Sequence, residues 1–234
     1  MERRIVLFWA ERAAETQKSV RTTMKFLIIH IFPQDTYSVR IFCYICSIKI
    51  FSTIMDHVKL HDKTFKPFIP YEKIISAIDK VADKINQDFH GCTDIPIVLC
   101  VLNGSIVFTG ELLKRLNFPC QLVSMKLTSY EGTFSTGKVR QVMGLTASVR
   151  DRRVIVVEDI VDTGNTIFDL CDILKGEGAS EVRICTLLLK PEVYKKDVKL
   201  NYVGMEIPNA FIVGFGLDYN ELGRNLKDIY VLDQ

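Results

Sequence analysis

The chain has 234 residues, 48% hydrophobic and 25% charged, an ordinary composition for one globular domain with or without an appendage. The formal net charge of +2 is too small to imply a nucleic-acid-binding face. Seven cysteines without paired spacing argue for a reducing compartment and against a disulfide framework.

Residues 1–54 read unlike the rest. They hold 8 Lys and Arg against 4 Asp and Glu, whereas the remaining residues hold 22 against 24. FLIIHIF (26–32) and IFCYICSIKIF (41–51) are apolar, but Pro33, Gln34 and Asp35 separate them. Neither reaches the roughly 18 uninterrupted apolar residues of a membrane span. Glu2, Glu11 and Glu15 precede a late apolar stretch, which is unlike a signal peptide. Cys43 and Cys46 form a C-x-x-C with no second pair, so zinc is not expected. Three readings compete: a targeting or membrane-surface segment, a disordered or extra packed segment, and an upstream extension to a domain starting near Met55. The third is favoured, as from a misplaced start codon, and 1–54 receives no function.

From Met55 the chain alternates. Ile74, Ile78, Val81 and Ile85 recur at helical spacing and predict a helix over 71–89. IPIVLCVL (95–102) is a short apolar run, hence a buried strand, ending at Asn103, Gly104 and Ser105. Leu112, Leu113 and Leu116 predict a helix to about Asn117. CQLVSMKLTSY (120–130) reads as a strand, EGTFSTG (131–137) as a loop and KVRQVMGL (138–145) as strand-like. Val154–Val157 is the next strand, and Ile167, Leu170, Cys171 and Leu174 mark a helix ended by Gly176 and Gly178. EVRICTLLL (181–189) and FIVGFG (211–216) are further strands. Strand and helix in alternation predict an α/β fold with a mainly parallel sheet.

The strand at 154 runs into Glu158, Asp159 and, after two apolar residues, Asp162. Three carboxylates in five positions repel one another unless a cation or shared proton relieves them. In α/β sheets, ligands bind beyond the carboxyl ends of the strands. Thr163, Gly164, Asn165 and Thr166 open a helix there, and free N–H groups with the helix dipole suit one phosphate. No G-x-x-x-x-G-K-[ST] loop and no dinucleotide fingerprint is present. The carboxylates then ask for donors such as sugar hydroxyls, or for a hard cation. A phosphorylated sugar with Mg²⁺ satisfies every group. The bland alternative is a solvated turn with a threonine N-cap.

VIVVEDIVDTGNT (154–166) resembles the phosphoribosyl-diphosphate (PRPP) signature of the type I phosphoribosyltransferases. The resemblance covers 56–234 and extends to LNGS (102–105), SYEGTFSTG (129–137), the strand end at Lys190, FIVGFGLDYNE (211–221) and Arg224. Within that family the segment looks like the hypoxanthine or hypoxanthine-guanine branch, of bacterial type. It implies the type I fold, with helices flanking the sheet, a small hood and a flexible lid loop.

The resemblance also implies roles. Glu158 and Asp159 would hold the ribose hydroxyls and Mg²⁺. Asp162 would be the general base at purine N7. Thr163 to Thr166 would cradle the 5′-phosphate. Asn103 and Gly104 would face the diphosphate across a cis-type peptide, with Asn103 where many relatives carry Lys or Arg. Arg224 would clamp the diphosphate, a task suited to guanidinium. Ser129 and Tyr130 would begin the lid. Lys190, a donor only, would bond O6 of a 6-oxopurine and reject adenine. Phe211 would stack on the purine, Ile212 and Asp218 would meet its edge, and Asp218 would also reach metal. Taken singly, Phe211 reads as core and Lys190 as solvated.

The implied activity is purine salvage: hypoxanthine or guanine and PRPP give the nucleotide and diphosphate. The expected setting is cytoplasmic, without nucleic acid or membrane, in a homodimer or homotetramer. Two alternatives stay open: a PRPP-binding regulator of the same fold, and a sister transferase, above all for xanthine. A regulator could lose the base pocket and would need a basic face. Lys190 disfavours adenine, and Phe211 disfavours orotate.

Overall fold

The computed structural model describes residues 57–128 and 140–233. The readings made for 1–54, Ser129, Tyr130 and the loop 131–137 lie outside the described residues.

Two sheets organise the described chain. The larger has the order β5 (Arg140–Met143), β4 (Gln121–Thr128), β3 (Ile97–Leu102), β6 (Arg153–Val161), β7 (Glu181–Leu189), β8 (Leu200–Glu206). Its neighbours are parallel except for β4 and β5, which are antiparallel. Both faces are covered. Helix α1 (Tyr71–Asp88) and helix α2 (Ile106–Leu113) pack on one, where Ile74, Ile78, Ile85, Phe108 and Leu112 join Ile155, Val157 and Cys185. Helix α3 (Asn165–Gly176) packs on the other, where Ile167, Leu170 and Leu174 meet Leu99, Val154 and Val156. A strand covered on both sides needs apolar residues at every position, hence the unbroken run in β3.

The smaller sheet has the order β1 (Val58–Leu60), β2 (Lys63–Ile69), β10 (Ile229–Leu232), β9 (Ile212–Val213), all antiparallel. It is the hood, built from both ends of the described segment. Phe65 and Val213 are its buried centre.

Several boundaries move. Helix α2 starts at Ile106, earlier than the leucines suggest, and Leu116 lies past its end while still packing on the core. Strand β6 runs four residues beyond Val157, so Glu158 and Asp159 are strand residues and not part of the turn. The stretch 211–216 supplies only two strand residues. Gly214 and Gly216 stand at φ 102° and 104°, which extended backbone does not allow. Strands β1, β2, β8 and β10 were not foreseen. Pro67 in β2 and Gly204 in β8 are residues that ordinarily argue against a strand.

Candidate functional site

The carboxyl ends of β3, β6 and β7 lie side by side: Glu158 and Asp159 are in the last part of β6, Asn103, Gly104, Asp162 and Lys190 follow the three strands, and Phe211, Ile212, Asp218 and Arg224 come from the hood segment. After β3, the Leu102–Asn103 peptide is cis. The Ser105 hydroxyl donates back to the Val101 carbonyl at 2.6 Å, and the Thr109 N–H donates to the Ser105 carbonyl at 2.8 Å. These bonds tie the loop at both ends. A methyl group on Gly104 would overlap the Asp159 carboxylate, and one on Gly216 would overlap the Gly104 carbonyl. Asp159, the 103–105 loop and the segment after β9 are therefore in direct contact. Arg224 completes this group. It donates to the Gly216 carbonyl at 2.9 Å and pairs with Asp218 at 2.7 Å. Asp218 also accepts the Glu221 N–H at 2.8 Å.

Glu158 is buried, only 9% exposed, and its Oε2 has no hydrogen-bond partner. Burial, with the Asp159 charge beside it, raises its pKa well above the usual carboxylate range. Asp159 is pushed up to about 6 by burial, against the downward pull of the Ile160 N–H at 2.9 Å and of Arg224. The apolar faces also exchange here. Val154 and Val156 share a cluster with Val161, whereas Ile155 and Val157 share theirs with Ile160. Simple alternation would have kept Val161 with Val157, so the face pattern breaks between Val157 and Ile160.

Both shifts make the folded protein hold protons that the unfolded chain has already lost. Raising the pH through that window therefore costs stability. For Asp159 the loss comes as the pH rises through about 6. Metal-free protein should thus melt at a higher temperature at pH 5 than at pH 7.5, and Glu158→Gln with Asp159→Asn should narrow the difference. Calorimetric scans showing the same pH slope in wild type and double variant would contradict this account.

Past β6, Asp162 is exposed and pairs with Lys190 at 3.0 Å. Lys190 is only 8% exposed and follows β7, where its N–H donates to the Val161 carbonyl at 3.0 Å. Two residues placed apart in sequence are thus brought together. Gly164 caps α3 at φ 86°, and a side chain there would meet the Tyr194 ring at 2.6 Å. Thr163 and Asn165 are exposed and Thr166 half-buried around that helix start.

In the hood, Phe211 is 46% exposed, where an isolated phenylalanine would be expected in the core. Its ring lies 6.0 Å from Phe65 and meets Tyr219 edge-on at 5.7 Å. Ile212 is buried in β9, so any contact it makes with a ligand runs through its backbone. Tyr219 and Asp62 were missed from sequence. Their only signal was Tyr219's place directly after Asp218.

A mainly parallel sheet whose acidic strand end runs into a helix start, with a small antiparallel hood, defines a class. The family model for the phosphoribosyl transferase domain matches residues 70–220. The hypoxanthine-guanine phosphoribosyltransferase of Streptococcus thermophilus is 38% identical over 164 residues, spanning 70% of this chain and 90% of that protein. A solved hypoxanthine phosphoribosyltransferase of Staphylococcus aureus superposes with TM-score 0.67 at 34% identity, over 72% of this chain and 91% of the other. A hypoxanthine-guanine enzyme of Bacillus anthracis, solved with HEPES in its active site, gives 0.67 at 35%, over 72% and 98%. The chain belongs to the hypoxanthine-guanine phosphoribosyltransferases.

Proposed function

We propose that the protein condenses a 6-oxopurine, hypoxanthine or guanine, with PRPP to give the nucleotide and diphosphate. The observation that carries the substrate class is the pair formed by Lys190 and Asp162 at 3.0 Å. A 6-oxopurine protonated at N7 presents an acceptor, O6, next to a donor. A lysine beside a carboxylate offers the complementary donor and acceptor. Adenine protonated at N7 presents two donors on the same edge, so its 6-amino group faces the Lys190 ammonium donor against donor and the bond to O6 is lost.

In this reading N9 attacks C1 of PRPP, the bond from C1 to diphosphate breaks, and Asp162 accepts the N7 proton. Thr163 to Thr166 hold the 5′-phosphate on the helix start. Arg224 turns part of its guanidinium from Asp218 to the leaving diphosphate, placing positive charge where negative charge develops. Asn103 offers an amide where a cation would serve better, so this loop contributes N–H dipoles. Phe211 stacks on the base, and the backbone of Ile212 and the side chain of Asp218 meet its edge. Ser129 and Tyr130 begin the lid.

Mg²⁺ fits the carboxylates. Among the described residues no three His, Cys, Asp or Glu side chains form a metal cage. That suits an ion held by one or two carboxylates and the phosphates of a substrate. Glu158, with its partnerless Oε2, and Asp159 would hold it, with Asp218 reaching a second ion. When bound, Mg²⁺ neutralises charge on the diphosphate.

The test is direct. Protein incubated with PRPP, Mg²⁺ and each nucleobase should form nucleotide from hypoxanthine or guanine and none from adenine. Titration calorimetry should show PRPP binding that disappears in EDTA. Nucleotide formed from adenine, or PRPP affinity unchanged by EDTA, would contradict the assignment. No catalysis despite PRPP binding would favour a regulator.

A cytoplasmic setting follows the same reading. Among the described residues no helix is long and apolar enough to cross a membrane, and Cys92, Cys100, Cys120, Cys171 and Cys185 are free thiols. Assembly as a dimer or tetramer, without nucleic acid or membrane, is part of the proposal and is read by light scattering.

A further inference from the structure

We propose that Tyr219, anchored by Asp62 on the β1–β2 turn, is a positioning residue that sets the Phe211 ring for purine stacking. The inference rests on the proposed function, because it assumes that Phe211 is the purine platform.

Phe211 keeps nearly half its surface open, so packing alone does not hold its ring in one place. Two aromatic neighbours bound it. Phe65 lies at 6.0 Å and 38° and is fully buried, fixed by the core around it. Tyr219 meets it edge-on at 5.7 Å and 89°, the arrangement that aromatic quadrupoles prefer. Tyr219 is therefore the neighbour whose placement sets how Phe211 tilts.

Tyr219 is itself held from several sides. Its hydroxyl donates to Asp62 Oδ1 at 2.7 Å, across 157 residues of sequence. His61 lies edge-on to its ring at 5.8 Å, and Lys63 Nζ stands 5.5 Å from the ring centroid. The next residue is held too: the Asn220 carbonyl lies 3.1 Å from His61 Nε2. Its backbone closes a turn, with the Tyr219 N–H donating to the Leu222 carbonyl at 2.8 Å. The two residues of the β1–β2 turn and the first residue of β2 thus grip one tyrosine. Asp218, one residue earlier, pairs with Arg224 at 2.7 Å. Tyr219 accordingly links the stacking ring to the charged end of the site without needing to touch substrate.

The test separates positioning from bulk stability. With hypoxanthine varied at saturating PRPP, Tyr219→Leu should raise the purine KM about threefold to tenfold while kcat and the PRPP KM stay within about twofold, as expected for losing one aromatic pair. Asp62→Ala, which removes only the anchor, should shift the purine KM in the same direction by less. Asp62→Asn keeps an acceptor for the tyrosine hydroxyl and should restore the wild-type value. A Tyr219→Leu protein with unchanged purine KM overturns the proposal, whatever its melting temperature. So does a parallel rise in the PRPP KM, or an Asp62→Ala protein indistinguishable from wild type. Wild-type protein that makes no nucleotide would instead remove the functional reading beneath it.

Discussion

Asp162→Asn should lower kcat by about 10² or more while PRPP binding survives, the loss expected when a general base is removed and its size kept. The amide still accepts a hydrogen bond but cannot take the N7 proton. The structure adds a contrast. Asp162 and Lys190 form one ion pair at 3.0 Å, yet the two should fail differently. Lys190→Ala leaves Asp162 exposed and free to act, and loses the bond to O6. It should weaken purine binding by roughly 1.5–3 kcal/mol, the value of a charged hydrogen bond, with a smaller effect on turnover. Steady-state kinetics on both variants decide the roles. Wild-type turnover in Asp162→Asn would refute the base assignment and leave the phosphate site standing. Equal loss of kcat in both variants would mean that the ion pair acts as a structural unit.

Gly104→Ala should be comparably severe, although no charge or donor is removed. The added methyl falls on the Asp159 carboxylate, and the Gly104 carbonyl already abuts Gly216 on its other side. The loop cannot retreat, because Ser105 ties it to β3 and to α2. Asp159 must therefore move. A displacement of about 1 Å at a reacting centre can cost about 10² in rate, and that loss is expected in kcat/KM for PRPP. Gly110→Ala is the control: it lies within α2 with open space at its Cβ. Calorimetry of PRPP binding to the two variants checks the point. Wild-type affinity and turnover in Gly104→Ala would show that Asp159 can shift without consequence, and would withdraw it from the site.

Much of the fold was legible where one physical rule governed. Helix α1 repeats Ile74, Ile78, Val81 and Ile85 on one face, and all four are buried. Strand β3 is apolar throughout, and β7 is buried from Ile184 to Leu189, because the sheet is covered on both sides. The hood was opaque because its central strand answers to a partner at the other end of the described chain. Phe65 of β2 pairs with Leu232 of β10, and only its pairing with Val58 of β1 is a local hairpin. Neither pairing leaves a local period, and Pro67 argues against a strand until its neighbours are known.

The candidate site divides the same way. The sequence by itself determined that Thr163 to Thr166 follow an apolar strand and open a helix, the kind of start that attracts anions through local backbone geometry alone. It also determined that acidic groups crowd the same strand end. Only the tertiary structure decided which groups meet. Lys190 reaches Asp162 because β7 lies beside β6 in register. Asp159 abuts Gly104 because β3 lies on the other side. Phe211 lies beside Phe65 because β9 joins β10 and β10 joins β2 in the hood sheet. A backbone preference acts over a few residues, whereas proximity across a sheet depends on strand order, which no short stretch of chain encodes.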